Sequence, residues 1–180
     1  MENTITKPTY KGIAKKVVLC GLLIAVGLIL PTLIHLSGMP GGPVLLPMHL
    51  PVFLAGLLCG GPYGAIVGAV LPILSTLLTG MPKMFPTMPM MAVELAVYGL
   101  VSGLIYKKSK RGVLFALVCA MVAGRCANAL ALLFTGAVLH LTVPPAVSVL
   151  SSVILGLPGI IVQLVLVPAV VRLVSHYESK

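Results

Sequence analysis

The sequence predicts an all-α fold, a polytopic membrane bundle of six transmembrane helices with N- and C-termini cytoplasmic. Three observations carry this. The 180 residues are 59% hydrophobic and only 8% charged, with a mean hydropathy of +1.16; average soluble domains carry about 25% charged residues. So few charges could not cover a water-soluble globule of this size, which excludes a soluble enzyme, a nucleic-acid binder and a disordered chain. Apolar runs near the span length of about 20 residues recur along the chain. The Lys and Arg residues gather at the flanks of those runs.

The runs make one membrane domain, 1–180, with spans at about 14–34, 44–60, 62–80, 87–106, 112–139 and 150–174. Residues 1–13 are polar and basic. The first run begins like a signal peptide, but it is long, lacks an A-x-A cleavage site and is followed by further spans, so it reads as a retained first helix. The Gly/Pro segment HLSGMPGGPVLLP leads to a second run that is short and interrupted by Pro47 and Pro51. Gly60-Gly61-Pro62 marks a tight turn into the third run. MPKMFPTMP, a second Pro-rich loop, precedes the fourth run, which ends at Lys107-Lys108-Ser109-Lys110-Arg111. The loop HLTVPPAVS separates the fifth run from the sixth.

The net charge of +9 suggests nucleic-acid chemistry until it is mapped. Lys7, Lys11, Lys15 and Lys16 lie near the N-terminus; Lys107, Lys108, Lys110 and Arg111 share one loop; Arg172 and Lys180 lie near the C-terminus. This is the positive-inside pattern. It places the termini, the 60–62 turn and the 107–111 loop in the cytoplasm. The three Gly/Pro-rich loops then face outward, with only Lys83 among them.

Cys20, Cys59, Cys119 and Cys126 form no CxxC and have no metal-ligand spacing. Each lies in an apolar run, where free Cys behaves as a small hydrophobe. No GxxxxGK[ST] loop occurs, so the chain carries no Walker-type nucleotide site. No internal repeat is visible, which favours a one-piece binding bundle over two rocking halves.

Ionisable groups inside a bilayer are costly and usually functional. Glu94 lies mid-segment in the fourth run, Arg125 mid-segment in the fifth with Asn128 one turn on, Gln163 in the sixth and His49 in the second. Counted from the cytoplasmic helix ends, Glu94, Arg125, Gln163 and His49 fall about 17–20 Å deep, in a hydrocarbon core of about 30 Å. Polar groups from four helices at one depth are the pattern of a substrate site. The structural alternative is a Glu94–Arg125 ion pair that only joins two helices. His35 and His140 fall at outer helix ends, and Tyr98 and Tyr106 read as core or interfacial anchors.

Small residues recur every fourth position at Gly60, Gly64 and Gly68, at Gly99 and Gly103, and at Gly21 and Ala25, a spacing that permits close helix packing. Methionines gather outside at Met81, Met84, Met88, Met90 and Met91. Thioethers select soft ions such as Cu(I); the interleaved Pro and Phe argue instead for a flexible apolar lid. An enzyme is not expected. Glu2, Glu94 and Glu178 are the acidic residues, and there is no HExxH, no pair of intramembrane carboxylates and no GxSxG.

The segment LPMHLPVFLAGLLCGGPYGAIVGAVLPILSTLLTGMP, followed by FPTMPMMAVELAVYGLVSGLIY, resembles the second to fourth helices of the substrate-binding S component of energy-coupling factor (ECF) vitamin transporters. The resemblance implies high-affinity capture of a vitamin or cofactor precursor from outside a prokaryotic cell membrane, with no cofactor or metal of its own. It implies partnership with a transmembrane T component and two cytoplasmic ATPase subunits, and transport by toppling of the S component. It implies a T-component contact on the first helix at an AxxxA-type motif. The nearest match is Gly21-Leu22-Leu23-Ile24-Ala25, with Gly in place of the first Ala. It also implies a site in the outer half of the bundle, roofed by Leu36–Pro47 and Gly80–Pro89.

In that site Arg125 would meet a carboxylate, phosphate or carbonyl, and Glu94 would accept hydrogen bonds from an amine or ring N–H. Asn128, Gln163 and His49 would fix orientation. Two other readings stay open at this point: a stand-alone facilitator of a small polar solute, and a copper-uptake protein using the outer methionines.

Overall fold

The computed structural model describes residues 10–36, 44–109, 112–139 and 153–178, which contain helix and no strand. In order they form α1 (Tyr10–Leu36), α2 (His49–Cys59), α3 (Gly61–Thr79), α4 (Thr87–Lys108), α5 (Val113–Leu139) and α6 (Leu157–Glu178). Five of these, all but α2, are long and apolar enough to cross a bilayer. The chain is an all-α polytopic membrane bundle.

The second expected span, 44–60, differs from the sequence reading. Its helix is the 11-residue α2, about 16 Å long and too short to span alone. Leu46 breaks the helix with a φ of 48°, and Pro51 sits in the first turn, where a missing N–H costs little. Irregular backbone at membrane depth is tolerated only where protein satisfies it. Here the Leu46 carbonyl accepts from the His49 backbone N–H at 3.1 Å and from Gln163 Nε2 at 3.2 Å.

An apolar helix without a polar face is a buried helix, and α2 is wrapped by α1, α3, α4 and α6. Its Val52, Phe53 and Ala55 are fully buried. The small-residue stripes explain how three helices close around it. Built as alanines, Gly56 of α2 and Gly64 of α3 would each strike the Gly99 carbonyl of α4, and Gly68 would strike the Leu95 carbonyl. Backbone therefore lies on backbone along the α3–α4 seam. Gly60 is not part of this seam: its φ of 106° makes it the turn residue, and a Cβ there would meet nothing within 4 Å.

On α1, Cys20, Leu23 and Gly27 face the bundle, while Val18, Leu22, Ile29 and Leu33 point outward. The Lys16 ammonium lies 5.6 Å from the Tyr63 ring centroid, and Cys59 Sγ donates to the Lys16 carbonyl at 3.7 Å. The basic start of α1 thus sits at the α2–α3 turn. At the ends of α4 and α6, Tyr106, Gly112, Pro168 and Arg172 line a cleft of about 250 Å³.

The segment after α3, expected as a flexible lid, is fastened to α3 at its first residues. Ser75 Oγ donates to the Met81 carbonyl at 2.7 Å, and Thr76 Oγ1 donates to the Pro82 carbonyl at 2.8 Å. Hydroxyls one turn before the helix end can reach the carbonyls of a chain that doubles back. The other expected roof, Leu36–Pro47, lies for the most part outside the described residues, as do His140 and the HLTVPPAVS loop.

Candidate functional site

Glu94 is the centre of the site. It lies in the middle of α4, 5% exposed, and three donors converge on its carboxylate. The Tyr98 hydroxyl donates to Oε1 at 2.6 Å. Arg125 Nη1 lies 3.1 Å from the same oxygen. Asn128 Nδ2 donates to Oε2 at 2.6 Å. A buried carboxylate needs such compensation, and breaking one ion pair of this kind leaves a charge uncompensated at a cost of about 3–5 kcal/mol.

Helical spacing places each partner. Tyr98 is four residues after Glu94, so the two side chains share one face of α4. Asn128 follows Arg125 by three residues and shares its face of α5. The α4–α5 contact is extensive, and Gly124 makes it close: a Cβ there would overlap the Tyr98 ring. The ring therefore packs closely on α5 at Gly124, beside the residue that supplies the guanidinium.

His49 reaches the cluster from α2. Its ring centroid is 5.3 Å from that of Tyr98, tilted by 49°. Phe53, one turn on, sits 5.2 Å from the same ring. His49 is buried, and its Nδ1 has no hydrogen-bond partner. Buried polar atoms are nearly always paired, so this nitrogen is a candidate contact for a bound group.

Of the sequence-expected site residues, Glu94, Arg125 and Asn128 come together directly and His49 joins them through Tyr98. Gln163 is buried on α6 but gives its amide to the Leu46 carbonyl. Gly159, one turn before it, abuts the Val44 and Leu45 carbonyls. This face of α6 thus holds the turn that leads into α2. Tyr98, read from sequence as a core or interfacial anchor, is buried in the core and also donates to the Glu94 carboxylate; its i+4 spacing from Glu94 is the signal that finds this contact.

Gly21 and Ala25 lie on the exposed face of α1, and a Cβ at Gly21 would meet nothing within 4 Å. The outer methionines differ in exposure. Met81 and Met84 are exposed, Met90 is buried, and Met91 packs against the core. Among the described residues no group of three His, Cys, Asp or Glu could hold a metal ion.

Neither a curated protein nor a solved structure matches the chain. The family model described as "ECF transporter, substrate-specific component" matches residues 15–171, which covers most of every helix of the bundle and every residue of the Glu94 cluster. The chain therefore belongs to the substrate-specific components of ECF transporters, non-catalytic multi-pass subunits of the prokaryotic plasma membrane that capture the substrate for an ECF-type importer.

Proposed function

We propose that this S component captures a small, vitamin-like polar solute at the Glu94–Arg125–Asn128 cluster. One observation supports this above the others: Glu94 and Arg125 pair inside a membrane bundle with an amide, a phenol and an imidazole gathered around them. A pair that only joined two helices would not need a third helix to bring a buried histidine with an unpartnered nitrogen beside it. Intramembrane ionisable groups of this kind mark substrate sites.

The family implies association with a T component and ATPase subunits in general. We assign the T-component contact to the exposed Gly21–Ala25 face of α1, where the small residues leave room for a partner helix. The whole chain acts as one domain. The turn at 44–48 and α2 together make the second of six crossings, with the termini, the Gly60 turn and the 107–111 loop in the cytoplasm.

The test is native mass spectrometry of the protein purified in detergent from cells grown in rich medium. The wild-type protein retains a vitamin-sized mass, and Glu94→Ala and Arg125→Ala lose it. Retention of the same mass by both variants rejects this site.

A further inference from the structure

The hydrogen-bond pattern of the cluster restricts what its ligand can be. Glu94 is largely engaged within the protein, with Tyr98 and Arg125 on Oε1 and Asn128 on Oε2, which leaves one lone pair on Oε2. Arg125 is different. A guanidinium carries five N–H donors, Nη1 is the nitrogen on Glu94, and the side chain stays 19% exposed. Asn128 commits its amide nitrogen to Glu94, so its carbonyl oxygen is the end left to accept. His49 Nδ1 adds a buried polar atom with no partner in the protein.

Charge restricts the ligand further. Among the described residues, the charged side chains other than Glu94 and Arg125 lie within two turns of a helix end or in connecting segments. The cluster is thus a neutral pair in a low-dielectric interior. An anionic ligand group would have to share Arg125 with Glu94, and a cationic one would have to share Glu94 with Arg125. Either would leave one buried charge uncompensated. An uncharged edge with a carbonyl beside an N–H meets no such penalty: its oxygen accepts from Arg125, and its N–H donates to Asn128 Oδ1.

From this, and resting on the capture reading above, we infer that the ligand presents an uncharged donor–acceptor edge, of lactam, carboxamide or ureido type, to Arg125 and Asn128. Glu94 is a positioning residue that orients both and balances the guanidinium. It does not itself contact the ligand.

The experiment uses the compound that the wild-type protein retains from rich medium, released by heat and repurified. It is returned to ligand-stripped wild type, Glu94→Gln, Arg125→Gln and the double variant, and bound fractions are read by native mass spectrometry. Each single variant, left with one unbalanced charge, binds at least about tenfold more weakly. The double variant is neutral again and binds more tightly than either single one. Fragmentation of the released compound shows a lactam, carboxamide or ureido group.

Tighter binding by Glu94→Gln than by wild type identifies an anionic group at Arg125 and overturns the inference. Tighter binding by Arg125→Gln identifies a cationic group at Glu94 and overturns it equally. A double variant no better than the weaker single one shows that charge balance is irrelevant, and overturns it too. Should the single variants fail to elute as monodisperse protein, the fragmentation decides, and a released compound without a lactam, carboxamide or ureido group overturns the inference. A wild-type protein that retains no compound rejects the capture site itself, and the inference falls with it.

Discussion

The Tyr98 hydroxyl donates to Glu94 Oε1 at 2.6 Å from one turn along the same helix. The ring behind that hydroxyl meets His49 and Phe53 of α2 and lies on Gly124 of α5. One buried phenol therefore ties three helices to the carboxylate at the centre of the site. It fixes the direction of Glu94, and through Glu94 the positions of Arg125 and Asn128.

Tyr98→Phe keeps the ring contacts and removes only the hydroxyl. A hydrogen bond to a charged group contributes about 1.5–3 kcal/mol. The variant is expected to fold, to melt at lower temperature in detergent and to bind its ligand more weakly. Unchanged melting and unchanged binding would show that the phenol does not orient Glu94.

Gly99→Ala pushes a methyl group into the Gly64 backbone. Overpacking of this kind costs about 1–3 kcal/mol, and backbone on the far side cannot yield as a side chain can. The expected readout is a large loss of thermal stability. Gly21→Ala, with nothing within 4 Å, leaves stability unchanged. Gly21→Leu also leaves it unchanged but impairs co-purification with the T component, and normal assembly of that variant would remove α1 from the docking surface.

Gln163→Leu deprives the Leu46 carbonyl of its side-chain donor. The net worth of such a bond is about 0.5–1.5 kcal/mol. The turn before α2 loosens, and His49 with it. Ligand affinity is expected to fall by up to about tenfold, and amide hydrogen exchange in α2 should rise first at its N-terminal turn. Exchange that rises evenly along α2 would contradict a local latch.

Ser75→Ala combined with Thr76→Val releases the carbonyls of Met81 and Pro82. Lys83 is exposed just beyond them. Trypsin is expected to cut after Lys83 faster in the double variant than in wild type, with the helices left intact. Equal rates would mean that the hydroxyl bonds do not hold the segment.

Much of the fold was legible in the chain because its signals are local. Hydropathy marked the long helices α1, α3, α4, α5 and α6 to within a few residues, apart from the N-terminal starts of α1 and α6. The Gly64–Gly68 and Gly99–Gly103 spacings marked the seam on which α3 and α4 meet. The short α2 was less legible: an apolar run through Pro47 and Pro51 reads as a weak span. Leu46, whose positive φ precedes α2, has its carbonyl bonded by Gln163, more than one hundred residues away.

The site divides in the same way. Composition and distance along each helix were enough to single out Glu94, Arg125, Asn128 and His49, which the structure brings near one another, because an ionisable or polar side chain deep in an apolar run is rare whatever surrounds it. Depth alone also selected Gln163, whose amide the structure gives to a backbone carbonyl. Only the tertiary structure decided that Tyr98 completes the carboxylate's shell, that Gln163 holds a turn, and that the methionines are split between surface and core. The physical reason is rotational: a sequence records how far along its helix a side chain lies, whereas its hydrogen-bond partner depends on how each helix is turned about its axis, and packing against its neighbours sets that turn.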